Sequence, residues 1–177
     1  MSKLVVVALL ASALTASGAQ GTNETGQFEY RITRVDIHNR LPGVHPNTWT
    51  GATVGLAIKN TGDVPVQIAL LIESIKLQID GGVEFTRLSK ESVSGLAICR
   101  GYTVADCGPL SKDFTVLRPG RSITASATLA VRMNGQEIGP VKWGNVSGTL
   151  FVRETEGGKV WLEPLTVAET PVVNNIR

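Results

Sequence analysis

Apolar residues alternate with polar ones at period two along most of the chain from Phe28 onward. This alternation is typical of strands that bury one face of a sheet, and no stretch of eleven residues shows a clean helical period. Turn residues separate the alternating runs. We therefore predict an all-β chain, a single Ig-like antiparallel β-sandwich of about eight strands over residues 20–167, with an irregular insertion at 89–112 and a C-terminal tail at 168–177.

Two of the alternating runs shift their apolar face by one residue partway along. Between Ile32 and Val35 the shift predicts a β-bulge near Thr33-Arg34. The longest run, residues 64–79, shifts at Glu73-Ser74. We expect this strand to bend there, pairing with one sheet before the bend and with the other sheet after it.

The first nineteen residues have the three parts of a secretory signal peptide. Lys3 provides the positive charge, residues 4–14 are apolar, and Ser17-Gly18-Ala19 provides small residues before the cleavage point. The apolar run is too short for a membrane-spanning helix, which needs about 20 residues. We therefore predict a signal peptide at 1–19 and a secreted or cell-surface mature chain with no membrane span.

The mature chain has almost no excess charge. Removal of the signal peptide takes away Lys3 and no acidic residue, which leaves 16 basic groups against 15 acidic ones. Nucleic-acid binding requires a strongly basic surface with clustered Lys and Arg. The composition therefore excludes nucleic acid as an expected partner.

Cys99 and Cys107 are the only cysteines. In an exported protein such a close pair predicts a disulfide that closes a local loop. A zinc site would need two more soft ligands nearby, and a redox pair is usually spaced Cys-x-x-Cys. Two further motifs, Asn23-Glu24-Thr25 and Asn145-Val146-Ser147, match the N-glycosylation pattern and predict modification only in a host that glycosylates exported proteins.

The chain is poor in the convergent acids, bases and nucleophiles that an active site needs. His38 and His45 are the only histidines, and with Asp36 they could supply two imidazoles and one carboxylate to a metal. Nothing in their spacing requires them to meet, and a solvated strand face is the other interpretation. We predict no enzyme activity, no cofactor and no metal site, with a metal-binding accessory protein as a further alternative.

The predicted hairpin of residues 146–167 contains a candidate contact surface. Its alternating apolar positions include Leu150, Val152, Val160 and Leu162. If these four face the core, Phe151 and Trp161 lie side by side on the other face. Exposed aromatic pairs are typical of protein interfaces. The alternative is that the 89–112 insertion or the tail covers both rings.

Apolar residues at both ends of the mature chain could take part in strand exchange. They are Phe28 and Tyr30 near its start, and Val172, Val173 and Ile176 in its tail. Either segment could pair with an open sheet edge of a neighbouring copy.

Two stretches resemble a known family: VGLAIKNTGDVPVQIALLIESIKLQIDGG, residues 54–82, and VLRPGRSITASATLAVRM, residues 116–133. They are similar to the water-stress and hypersensitive-response domain of late-embryogenesis-abundant proteins, which implies an Ig-like sandwich and a stress-protective role. The segment KNTGDVPVQI, residues 59–68, also resembles the Asn-Thr-Gly turn of TasA-like biofilm fibre subunits and archaeal bundling-pilus proteins. That resemblance implies self-assembly by strand exchange.

These observations predict a non-enzymatic exported sandwich that acts as a structural or interaction subunit at the cell surface. Its expected partners are copies of itself or other surface proteins, and an extracellular filament built by β-strand addition is one form of such assembly. A monomeric stress-protective or binding domain is the alternative.

Overall fold

The computed structural model describes residues 22–38, 49–100, 114–133, 136, 138–156 and 158–174, with the backbone alone described at 22–25, 87–91, 169, 173 and 174. These ranges contain thirteen strands and no helix, which confirms the all-β class. They also contain no helix that could cross a membrane. The strands are β1 Thr22–Thr25, β2 Phe28–His38, β3 Trp49–Asn60, β4 Val66–Leu71, β5 Lys76–Ile79, β6 Glu84–Phe85, β7 Arg87–Ser94, β8 Ile98–Cys99, β9 Thr115–Leu117, β10 Ser122–Arg132, β11 Trp143–Glu154, β12 Val160–Pro171 and β13 Val173–Asn174.

The strands form two sheets, and the predicted sandwich is confirmed. Sheet A has the order β1-β2-β3-β10-β7, with β13 added in parallel to β2. In sheet B the long strand β11 pairs with β12 on one side and with both β4 and β5 on the other. Strands β8 and β9 extend this sheet beyond β4, and β6 extends it beyond β5.

The main core lies between the inward faces of the two sheets. In β3 the alternating residues Val54, Leu56 and Ile58 face inward and are almost fully buried, as period-two patterning requires. In sheet B, Ile68 of β4 and Val152 of β11 face them with no exposed surface. Removal of this apolar area from water is the main stabilising contribution of the sandwich.

The structure confirms the predicted bulge in β2. The β2–β3 register shifts between Ile32 and Arg34, so the residues that face the core change from even to odd numbers. Gly55 of β3 lies under this bulge, where an added Cβ would be 2.6 Å from Thr33 Oγ1. A glycine is therefore needed where the bulged strand approaches β3.

The predicted bend at Glu73-Ser74 joins strands of the same sheet, so the expected switch between sheets is wrong. Strands β4 and β5 both pair with β11, at Leu150–Glu154 and Gly144–Ser147 respectively. The Ser74 hydroxyl donates to Leu71 O (2.7 Å) and accepts the Thr149 N–H (2.8 Å). The Ser74 hydroxyl thus takes the place of a backbone acceptor at the bend, where the pairing with β11 is interrupted between β4 and β5. The chain therefore continues along β11 in the same sheet.

The C-terminal segment is more regular than the sequence pattern predicted. Strand β12 continues to Pro171, so residues 168–171 belong to sheet B rather than to a polar tail. Strands β7 and β8 likewise overlap the segment 89–112, which was expected to be irregular.

Candidate interaction surfaces

The outer edge of β2 is covered by two short segments from the ends of the chain. Strand β2 has 11 residues, whereas β1 has 4 and β13 has 2. Strand β1 pairs with Phe28–Arg31, and β13 pairs with Asp36 and Ile37. Over the intervening residues 32–35, no described strand forms a ladder on this edge, although β12 passes close to β2.

The two covering segments are attached differently. Strand β1 is joined to β2 by a two-residue turn, Gly26-Gln27, because Thr25 pairs with Phe28. The Glu163 carboxylate packs against this turn, so close that a Cβ at Gly26 would be 2.8 Å from Oε1. Strand β13 instead comes from the other sheet, and Val172 N–H donates to Lys142 O (3.2 Å) just before it begins. Ile176 lies outside the described residues.

Phe28 and Tyr30 face the main core and are fully buried, with ring centroids 6.0 Å apart. They therefore anchor β2 within its own subunit. Val172 is partly buried and packs against the same core. Phe28, Tyr30 and Val172 are therefore used within one subunit, while an interface role of Val173 and Ile176 stays a prediction.

The prediction that Phe151 and Trp161 lie side by side on an exposed face is wrong. In the observed register, Phe151 pairs with Leu162, and Trp161 pairs with Val152, so the two rings lie on opposite faces of the hairpin. The phase of β12 is set by Leu165 and Val167, which are buried in the main core and place Trp161 on their side. Leu162 is outward-facing and 37% exposed, the reverse of its predicted position.

Phe151 belongs to a second apolar cluster, which lies on the outer face of sheet B. Its members are Ala69, Leu71, Cys99, Phe114 and Phe151. The Phe114 ring stacks on Phe151 with centroids 5.1 Å apart and planes at 7°. The Arg153 guanidinium lies over Phe114 at 5.2 Å and hydrogen-bonds Gln67 Oε1. The alternative that the 89–112 insertion or the tail covers both rings is correct only in part: Cys99 of that segment lies in the cluster with Phe151, whereas the stacking Phe114 lies two residues beyond it and Trp161 packs against the main core.

Trp161 is partly buried against the main core and hydrogen-bonds a buried acidic residue. Its Nε1–H donates to Glu163 Oε2 (3.0 Å), and Glu163 is only 8% exposed. Lys159 Nζ lies 5.4 Å from the centroid of the Trp161 ring. The sequence pattern did not predict this hydrogen bond. A Glu is expected to face solvent, and nothing in the sequence shows that Trp161 supplies a donor to it.

Asn60, the first residue of the Asn-Thr-Gly turn, has a structural role. Its side chain is fully buried and donates to Val64 O (2.9 Å) and Leu117 O (3.1 Å). Its Oδ1 accepts the Gly62 N–H (2.9 Å) and the Gln27 amide (3.4 Å). The amide thus joins three segments at one end of the sandwich: its own turn, β9 and the β1–β2 turn. These bonds explain the motif without an interaction partner.

The remaining predicted site residues have mixed outcomes. Cys99 is buried in the second cluster, but Cys107 lies outside the described residues and the disulfide stays a prediction. Asn145 lies within β11, paired with Gln78 of β5, while only the backbone of Asn23 in β1 is described. Glycosylation of either stays a prediction.

The prediction that Asp36 lies on a solvated strand face is wrong. Asp36 is 1% exposed and forms an ion pair with Arg34. His38 Nε2 lies 3.2 Å from Thr53 Oγ1, and His45 lies outside the described residues. Within the described part of the chain, no three His, Cys, Asp or Glu side chains come together as a metal site.

The chain matches no protein-family model and no curated protein. Among the solved structures to which it is similar are three at 8–11% identity. A Northeast Structural Genomics Consortium target matches with TM-score 0.44 over 83% of this chain and 90% of its own. The candidate lipoprotein ycdA from Bacillus subtilis matches with TM-score 0.41 over 85% of this chain, which spans 39% of ycdA. An uncharacterized β-sandwich protein from Clostridium difficile matches with TM-score 0.35 over 81% and 89%. The resemblances to the water-stress and TasA-like families stay predictions.

Proposed function

We propose that this chain is a non-enzymatic exported β-sandwich that serves as a structural or interaction subunit at the cell surface. In this proposal, copies associate by exchanging the C-terminal segment at the outer edge of β2. The observation that supports it most is the cover of that edge, where, in the described part of the chain, the C-terminal half of the 11-residue strand β2 pairs with two residues of β13.

The C-terminal segment is the better donor of the two covering segments. Strand β1 cannot leave β2 without opening the turn at Gly26, and this turn is packed against Glu163. Strand β13 has a two-residue parallel pairing, and parallel pairs are slightly less stable per residue than antiparallel ones. Replacement of this short pairing by the same segment of a neighbour costs little and creates an intersubunit contact.

The proposal predicts a concentration-dependent assembly of the mature chain, residues 20–177. Size-exclusion chromatography with light scattering over a hundredfold concentration range should show oligomers, and negative-stain microscopy should show whether they extend into filaments. Deletion of residues 173–177 should abolish the oligomers, because the donor is removed while Val172 stays in the core.

The matched control is Leu162→Asp, which removes an exposed apolar side chain from the outer face of sheet B and leaves the β2 edge unchanged. This variant should assemble like the wild type. If Leu162→Asp dissociates the oligomers and the deletion does not, association occurs through that face and the proposal is wrong. A strict monomer at every concentration would also contradict it and would favour a monomeric protective or binding domain.

A further inference from the structure

Trp143 is presented at one end of the outer face of sheet B by a fixed backbone. The Asp80 carboxylate accepts the Lys142 N–H (3.0 Å) and the Trp143 N–H (3.5 Å), while the Asp80 N–H donates to Trp143 O (3.2 Å). On the other side Trp143 pairs with Pro171 of β12. Trp143 as a residue is nevertheless 39% exposed. A fixed backbone thus presents an aromatic residue that keeps part of its surface exposed.

Polar side chains extend from the same face beside the indole. Gly144 faces inward, where an added Cβ would be 2.8 Å from Leu77 Cδ1, so its neighbours Trp143 and Asn145 face outward. Asn145 pairs with Gln78 of β5, and Gln78 pairs with Glu84 of β6. Residues two apart on a strand lie about 7 Å apart, and neighbouring strands about 4.8 Å apart. The Asn145 Cα therefore lies about 7 Å from the Trp143 Cα, a separation that one sugar ring can span.

The charges around this face are balanced. Lys76 and Glu84 form an ion pair of 3.3 Å, and the Asp80 carboxylate is engaged with backbone N–H groups next to Lys142. This balance gives no net attraction for phosphate, nucleic acid or an acidic polymer. It favours a neutral ligand with both an apolar surface and hydroxyl groups.

We propose that the Trp143 face, defined as Gln78, Trp143 and Asn145, binds a neutral polysaccharide. A pyranose ring has an apolar C–H face that stacks on the exposed indole, and its hydroxyls hydrogen-bond the neighbouring amides. The fixed backbone means that little ordering entropy is lost on binding. This proposal does not depend on exchange of the C-terminal segment.

The test uses the mature chain made in a host that does not N-glycosylate, so that Asn145 stays unmodified. Retention is measured on insoluble chitin, on cellulose and in gels containing soluble β-1,3-glucan, with alginate as an acidic comparison. At least one neutral glycan should retain the protein. Trp143→Ala should weaken that retention at least about tenfold, and Gln78→Ala about threefold.

Val116→Ala is the matched control, because Val116 is 53% exposed but lies on β9, away from the Trp143 face. It should bind like the wild type. Trp143→Phe retains an aromatic surface and should bind better than Trp143→Ala, which separates stacking from a folding defect. Retention by alginate alone, by none of the three neutral glycans, or equally by the wild type and Trp143→Ala would overturn the proposal.

Discussion

Phe151 and Trp143 lie on the same strand, β11, and point from the same face of sheet B, yet their surroundings are opposite. Phe151 is 2% exposed beneath the stacked ring of Phe114, whereas Trp143 is 39% exposed. The difference arises because the segment that contains Phe114 covers the half of this face around Phe151. Among the described residues, the half around Trp143, the open half, lacks this cover. Strand alternation shows which side chains share a face, but it does not show which of them another segment covers.

The largest expected effect is on the covered half. Phe151→Ala removes a buried ring and its stacking partner's support, and such substitutions cost about 3–5 kcal/mol. Trp143→Ala, the matched change on the open half, should cost clearly less, about 1–2 kcal/mol, because the residue is only partly buried. Urea unfolding of the mature chain measures both. Equal losses would mean that the two halves do not differ in cover.

The next effect concerns the two sides of β12. Trp161→Ala should cost about 2 kcal/mol, because it removes partly buried area and leaves the Glu163 carboxylate without its indole donor. Leu162→Ala, at an outward-facing and partly exposed position of the same strand, should cost less than about 1 kcal/mol. The comparison uses the same unfolding experiment. A larger loss for Leu162→Ala would contradict the observed phase of this strand.

A smaller effect is expected at the junction between the two halves. Ser74→Ala leaves the Thr149 N–H without its acceptor and should cost about 1–2 kcal/mol. Ser122→Ala, at an exposed strand position, is the control and should change stability by less than about 0.5 kcal/mol. If both substitutions have the same effect, the hydroxyl of Ser74 does not replace the interrupted ladder.

The smallest effect is expected for the ion pair on the open half. Both side chains of the Lys76–Glu84 pair are nearly half exposed, so Lys76→Ala should change the free energy of unfolding by less than about 0.5 kcal/mol. The change should decrease further in 1 M salt, because exposed charges are screened. A loss above about 1 kcal/mol that persists in salt would show that this half is more enclosed than the structure indicates.

Sequence patterning predicted the fold class, the bulge near Thr33-Arg34 and the β11–β12 hairpin. These features depend on local period and on turn residues. It failed where distant contacts decide the outcome: Ser74 keeps β4 and β5 in one sheet, and Phe114 covers Phe151. It also reversed the faces of β12, since the inward Glu163 breaks the alternation that the apolar residues alone suggest.

The candidate edge was only partly predictable. The apolar residues of the C-terminal segment indicated a possible donor strand, but its acceptor is the non-neighbouring strand β2, and a pairing of two residues has no sequence signature. The Asn-Thr-Gly turn was similarly visible as a turn, whereas two of the four hydrogen bonds of Asn60 depend on Leu117 and Gln27, which are distant in the sequence.

The claim that β2 accepts the C-terminal segment of another copy is tested most directly by adding that segment as a peptide. The variant that lacks residues 173–177 is titrated with the peptide PVVNNIR, residues 171–177, and with a scrambled peptide of the same composition. Calorimetry should show saturable one-to-one binding of the native peptide and none of the scrambled one. Equal heats for both peptides, or no binding of either, would contradict the proposed exchange.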